Sequence, residues 1–186
     1  MPGLRPARVG HPTDLRTREE DAVSYPRWTQ LDKTEKASWW TAFNAVYNFQ
    51  PGSETDPYPG IVEPKNSITF DLRGSSSPPR ARVNTEAEEA FRTAFPSDTV
   101  LIALNWQHPG YRFRPHGDPL PQNISPIPVY PDGDYYLFFT EDLQCGTFGH
   151  PWHKTLCVFG EPLLSTLAEA LSTWLPVARR GGHEPQ

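Results

Sequence analysis

Four apolar, strand-like runs follow one another between residues 99 and 159 with no helical pattern among them, and this succession constrains the fold more than any other feature. They are Thr99 to Trp106 (TVLIALNW), Tyr111 to Phe113, Asp134 to Thr140 and Lys154 to Phe159. Parallel neighbours need a crossover, usually a helix, whereas antiparallel neighbours need only a turn. Pro109-Gly110 and Asp132-Gly133 supply turn chemistry of that kind. A fifth strand is written at Ser67 to Leu72, where Ile68, Phe70 and Leu72 alternate with Thr69 and Asp71, the pattern of a half-buried strand.

Helical patterns flank this set. Asp32 and Glu35 make a capping box ahead of residues 33–49, where Trp39, Trp40, Phe43, Val46 and Tyr47 share one face. Thr85 and Glu88 make a second box, followed by Ala87, Ala90, Phe91, Ala94 and Phe95 before Pro96. Glu161-Pro162 opens a third helix with Leu163, Leu164, Leu167, Leu171, Trp174 and Leu175 on its apolar face, and Pro176 stops it. The expected fold is α+β, with an antiparallel or mixed central sheet of about five strands and three helices packed mainly on one face.

A chain of 186 residues suits one domain. Residues 1–24 combine four arginines and four acidic residues with almost nothing to bury. They are expected to be a disordered tail, with the domain over 25–176 and a second disordered tail over 177–186. Tyr25 to Trp28 reads as a docking strap without regular structure. The 22 prolines and 13 glycines lie between the apolar runs, so they punctuate stiff loops.

A net charge of −5 argues against nucleic acid, which requires a basic stripe to displace counterions. The sequence carries no apolar run long enough to cross a membrane and no secretory signal, and its two cysteines form no CxxC pair. The expectation is a cytoplasmic protein without nucleic-acid or membrane partners.

The chemistry gathers between Gly133 and Leu164. Tyr135 to Thr140 and Thr155 to Phe159 read as neighbouring strands joined by a loop holding Glu141, Asp142, Cys145, His150, Trp152 and His153. His108, Glu141 and His150 are the candidate catalytic residues, as acid, base or metal ligands. Trp106, Tyr111, Tyr136 and Trp152 are the candidate ligand-binding residues, since rings give contact area at low entropy cost. His150 and His153 stand three apart, and with Glu141 or His108 could make a three-ligand zinc or iron site if Pro151 bends the loop. That spacing is weak evidence, and no metal is assigned. Cys145 reads as a loop-borne thiol within reach of His150 or His108, and Cys157 as a small core residue. Asp134 reads either as an acid/base group or as the residue that fixes its turn. No GxGxxG, GxxxxGK, HExxH or GxSxG pattern occurs, so no cofactor is named.

Leu104-Asn105-Trp106-Gln107-His108-Pro109-Gly110-Tyr111-Arg112-Phe113, Pro131-Asp132-Gly133-Asp134-Tyr135-Tyr136, Gly146-Thr147-Phe148-Gly149-His150-Pro151-Trp152 and Val158-Phe159-Gly160-Glu161 together resemble the bacterial family called domain of unknown function 2716. The resemblance spans about Trp28 to Trp174 and implies no activity, substrate or cofactor. Related members are expected to carry an acidic residue after Gly-His-Pro-Trp, where this chain has His153, which counts against His153 as an essential ligand. The leading reading is a small-molecule or partner-protein binding module, with accessory or immunity-like proteins included in that class. The alternative is an enzyme using a His/Glu site, acid-base or metal-assisted, in the 106–113 and 141–153 loops.

Overall fold

The computed structural model describes residues 25–53, 55–56, 58–73, 80–120 and 125–184. The tail expected over 1–24 lies outside these residues. The elements are β1 (Trp28–Gln30), α1 (Lys33–Tyr47), β2 (Ser67–Asp71), α2 (Arg80–Ala94), β3 (Leu101–Asn105), β4 (Tyr111–Phe113), β5 (Tyr136–Thr140), β6 (Gly146–His150), β7 (Thr155–Phe159) and β8 (Val177–Arg180). Between β7 and β8 runs a third helix, α3, made of Glu161–Leu163, a π-helical stretch Leu164–Ala168 and Glu169–Ser172.

The strands form one sheet in the order β1-β4-β3-β5-β6-β7-β2-β8, with every pairing antiparallel. The α+β class and the three helices stand as expected, but the sheet has eight strands instead of about five. Three elements account for the difference. Trp28, the last residue of the segment expected to be an irregular strap, opens a strand Trp28–Gln30 that pairs with β4, and its indole packs 4.4 Å from the Phe113 ring. Val177–Arg180, expected to fray, pairs with β2, so the folded unit runs past Pro176. Gly146–His150, expected to lie in a loop, is a strand inserted between β5 and β7.

Each strand of the central sheet feeds two cores, because side chains alternate across a pleat. Leu101, Ala103, Phe113, Phe138, Leu156 and Val158 pack with α2 and α3. Ile102, Leu104, Leu137, Phe139, Cys157 and Phe159 pack with α1. Two helices therefore share one face, and α1 alone crosses the other. The continuous apolar run of β3 is explained by this arrangement, since all five of its residues are buried.

The helices obey local rules where the signals were complete. Asp32 accepts from the Thr34 and Glu35 amides at 2.8 Å, and Glu35 returns to the Asp32 amide, closing the capping box of α1. Phe43 is fully buried, stacked 5.3 Å from Phe139, while Val46 points to solvent. For α2 the box at Thr85 and Glu88 is not the start. The helix begins at Arg80, and fully buried Val83 extends the Ala87, Ala90 and Phe91 stripe back by one turn. Thr69 of β2 is buried as well, so that strand is covered on both faces instead of one.

A strand is able to form at 146–150 because two of its residues have no side chain. A Cβ on Gly146 would lie 2.1 Å from the Phe138 carbonyl oxygen, and one on Gly149 would lie 3.0 Å from Pro131. Glycine usually weakens a strand, but here it permits the close backbone approach. Gly146→Ala is therefore expected to destabilise the fold by about 3 kcal/mol, at the upper end of overpacking costs. The cost reads out as a lower urea midpoint at unchanged slope; an unchanged midpoint would mean that β6 shifts at no cost.

Candidate functional site

The turns after β3 and β6 lie at one end of the sheet. Asn105 pairs with Tyr136, Tyr136 with Gly149, and His150 with Thr155, so Trp106, Tyr135 and His150 emerge side by side. Their rings form a ladder. Trp106 meets Tyr135 edge to face at 5.8 Å, Tyr135 meets His150 at 4.9 Å, and His150 stacks on His153 at 4.0 Å with the planes 12° apart.

Hydrogen bonds fix this ladder to the segment that follows α1. The Gly52 amide donates to the Tyr135 hydroxyl at 2.8 Å, and that hydroxyl lies 3.2 Å from the Gly52 carbonyl. His150 Nδ1 accepts from the His153 amide at 3.1 Å, which leaves the proton on Nε2, 3.4 Å from the Tyr135 hydroxyl. The His153 Nε2 meets the Asp56 carbonyl. Gly60, at φ +84°, presses on the His150 and Phe148 rings, where a Cβ would come within 2.9 Å of each.

His150 is fully buried, and burial pushes its pKa down to about 3, with repulsion from His153 and Arg179 acting in the same direction. It is a neutral, hydrogen-bonded core residue near neutral pH. His108 and Glu141 are both exposed. Thr140 pairs with Leu101 at the far end of β3, so Glu141 and His108 leave opposite ends of a five-residue strand, a span of about 17 Å. Glu141 lies 3.1 Å from the Arg112 guanidinium, whose Nη2 reaches Glu35 at 2.7 Å. Glu141 is thus placed apart from His108.

The face-to-face imidazoles of His150 and His153 direct their in-plane lone pairs side by side and do not converge on one ion. Among the described residues no group of three His, Cys, Asp or Glu is placed to hold a metal. Cys145 is buried, not accessible as expected for a loop thiol, and burial raises its pKa to about 11 and that of Cys157 to about 12. Both stay protonated, which removes the thiolate that nucleophilic chemistry requires. Asp134 is buried and accepts from the Gln107 and Tyr135 amides, so it fixes its turn.

Of the four ring residues, Tyr111 and Tyr136 are half-buried on the α2 face. Tyr111 packs edge-on to Trp28, and the Tyr136 hydroxyl donates to Asp132 at 3.0 Å. Trp106 and Trp152 are 38% and 43% exposed, and each lines a groove. The first groove, about 440 Å³, runs between α1 and the β3–β4 turn, with Lys36, Trp40, Thr41, Asn44, Phe49 and Trp106 as walls. Lys36 Nζ donates to the His108 carbonyl and sits 3.5 Å from that of Trp106. Burial lowers the Lys36 pKa, and nearby Asp134 opposes the shift. The second groove, about 490 Å³, lies against β7, β2 and β8 and is far more polar.

Glu63 is a functional-looking residue that the sequence did not signal. Its side chain is 2% exposed, bonded by Arg179 Nη2 at 2.7 Å and by the Thr69 hydroxyl at 2.8 Å. Its partner Arg179 lies in a segment expected to be disordered, so no local pattern pointed to the pair.

Fold and site together describe an antiparallel α+β protein with paired grooves at one sheet end and a histidine core beneath them. The chain belongs to the family described as Protein of unknown function (DUF2716), which matches residues 30–164. It is 32% identical over 152 residues to the uncharacterized protein YxiI of Bacillus subtilis strain 168, covering 75% of this chain and 91% of that protein. No solved structure matches it. Among the described residues no helix is long and apolar enough to cross a membrane.

The buried, neutral His150 sets a pH dependence. The unfolded chain takes up a proton near pH 6.5 that the folded chain refuses until about pH 3. Its contribution is therefore complete above pH 6.5 and is lost as the pH falls, by about 2 kcal/mol at pH 5. In urea titrations at pH 7 and pH 5, His150→Gln should lose less stability between the two than the parent does. Equal losses would show that His150 is already charged in the fold.

Proposed function

We propose that the chain is a binding module for a small organic ligand, seated in the groove between α1 and the β3–β4 turn. The observation that carries this reading is the Trp106 indole, 38% exposed over a groove that also presents Trp40 and Phe49. Rings grouped around a groove and rimmed by polar side chains are the kind of surface that marks a ligand site. Lys36 is the one charged side chain among the groove's walls, and no carboxylate lines it among the described residues. Asn44, exposed on the same helix face, adds an amide with no hydrogen-bond partner among the described residues. These groups suit a flat aromatic ligand bearing an anionic group, the ring against Trp106 and the anion toward Lys36.

Weighing against the enzyme alternative are the separation of Glu141 from His108 and the neutral, hydrogen-bonded state of His150. Two unpaired thiols favour a reducing, cytoplasmic setting. The net charge of −5 disfavours a nucleic-acid partner.

The probe of choice is 8-anilinonaphthalene-1-sulfonate, an aromatic sulfonate of the stated chemistry, followed by its fluorescence. Native protein should bind it saturably at one site per chain. Trp106→Ala should weaken binding about tenfold, which corresponds to about 1.4 kcal/mol, in a variant whose circular dichroism shows that the fold is kept. Lys36→Met should weaken it by a smaller factor. Undiminished binding to Trp106→Ala, or none to the parent, would sink the proposal.

A further inference from the structure

The second groove has a different chemistry, and its features are independent of the first. It opens beside the paired residues His150, Thr155 and Asp71, under the turn that carries Trp152 and His153. Its volume of about 490 Å³ falls within the range of small-ligand sites.

Thr155 lines this groove, is only 4% exposed, and its hydroxyl has no hydrogen-bond partner among the described residues. The hydroxyl is not sealed from solvent, so it opens on the groove and is available to whatever enters it. Other groups with unused capacity surround it. Arg179 commits Nε and Nη2 to Glu63, which leaves Nη1 as a donor. His153 uses Nε2 on the Asp56 carbonyl, which leaves Nδ1 as an acceptor. Glu184, on the exposed turn after β8, has a carboxylate with no partner among the described residues. The Trp152 indole, 43% exposed, borders the same space behind buried Pro151.

The charge balance selects among ligands. Arg73 is neutralised by Asp71 at 2.8 Å and Arg179 by Glu63 at 2.7 Å. With both guanidiniums paired, Glu184 and Asp56 leave the groove negative, so a phosphate or carboxylate would meet uncompensated like charge. A neutral ligand whose groups each donate and accept fits the mixture of unused donors and acceptors. Hydroxyl groups have that property. An exposed indole face, negative by its quadrupole, suits the polarised C–H face of a pyranose ring.

We propose that this groove is a site for a neutral saccharide, with the sugar ring laid on Trp152 and its hydroxyls bonded to Thr155, Arg179 and Glu184. The ligand completes the Thr155 hydroxyl that the protein leaves unpaired. Thr155→Val keeps the shape and deletes only that hydroxyl, so it separates binding from folding.

The test is a glycan array of neutral oligosaccharides beside sialylated, sulfated and phosphorylated ones, probed with the full-length chain. Retention on one or more neutral glycans is expected, reduced at least about tenfold in Trp152→Ala and in Thr155→Val. The Thr155→Val melting temperature should equal or exceed that of the parent, since no native hydrogen bond is lost. Trp106→Ala should bind the array as the parent does, which separates this site from the aromatic groove. The proposal falls if no neutral glycan is retained, if only anionic glycans are, or if Trp152→Ala or Thr155→Val binds as tightly as the parent.

Discussion

The backbone contact between β5 and β6 is the constraint on which the rest of the structure depends. Gly146 sits so close to the Phe138 carbonyl that any side chain would collide with it. The contact places β6 in the middle of the sheet, and β6 in turn delivers Phe148 to the α1 core and His150 to the end of the ring ladder. If β6 were a loop, β5 and β7 would be neighbours and His150 would have no buried position to occupy. The ring ladder from Trp106 through Tyr135 to the His150–His153 stack would then lose its support.

Much of this architecture is legible in residues whose local and tertiary demands agree. Asp32 with Glu35 satisfies orphan amides whatever lies beyond the helix, so its capping box predicts α1 correctly. The run Leu101 to Leu104 is apolar throughout because it feeds two cores. The parts that sequence did not disclose are those in which a distant partner decides the conformation. Gly146 and Gly149 look like loop residues until Phe138 and Pro131 are brought against them. Val177–Arg180 carries two arginines and one strong strand former, and its pairing is rewarded by Glu63, more than a hundred positions earlier in the chain.

The candidate site divides in the same way. Trp106 is an exposed ring directly after a strand whose end was read within one residue, whereas exposed Trp152 follows β6, which reads as loop in the sequence. The histidines are a different case. A histidine in a glycine-bearing segment reads as accessible, but the insertion of β6 buries His150 and turns both ring nitrogens to structural duty. Titratable side chains are therefore the residues whose role depends most on topology, since burial and the charges packed beside them decide whether they carry charge near neutral pH.

The two grooves share one sheet end and differ in electrostatic sign, and the difference follows from where ion pairs form. On the α1 side Asp134 spends its oxygens on backbone amides, so Lys36 faces the aromatic groove as a cation without a carboxylate in the wall. On the β8 side each arginine that borders the groove is held by a carboxylate beneath or beside it, and the surplus there is acidic. An ion pair removes a charge from the surface more completely when one partner is buried, because solvent cannot screen it and the geometry stays fixed. Glu63, 2% exposed beneath Arg179, is such a case. Its burial makes the guanidinium a directional hydrogen-bond donor more than a point of charge, and that change turns a basic edge strand into a surface suited to hydroxyl groups.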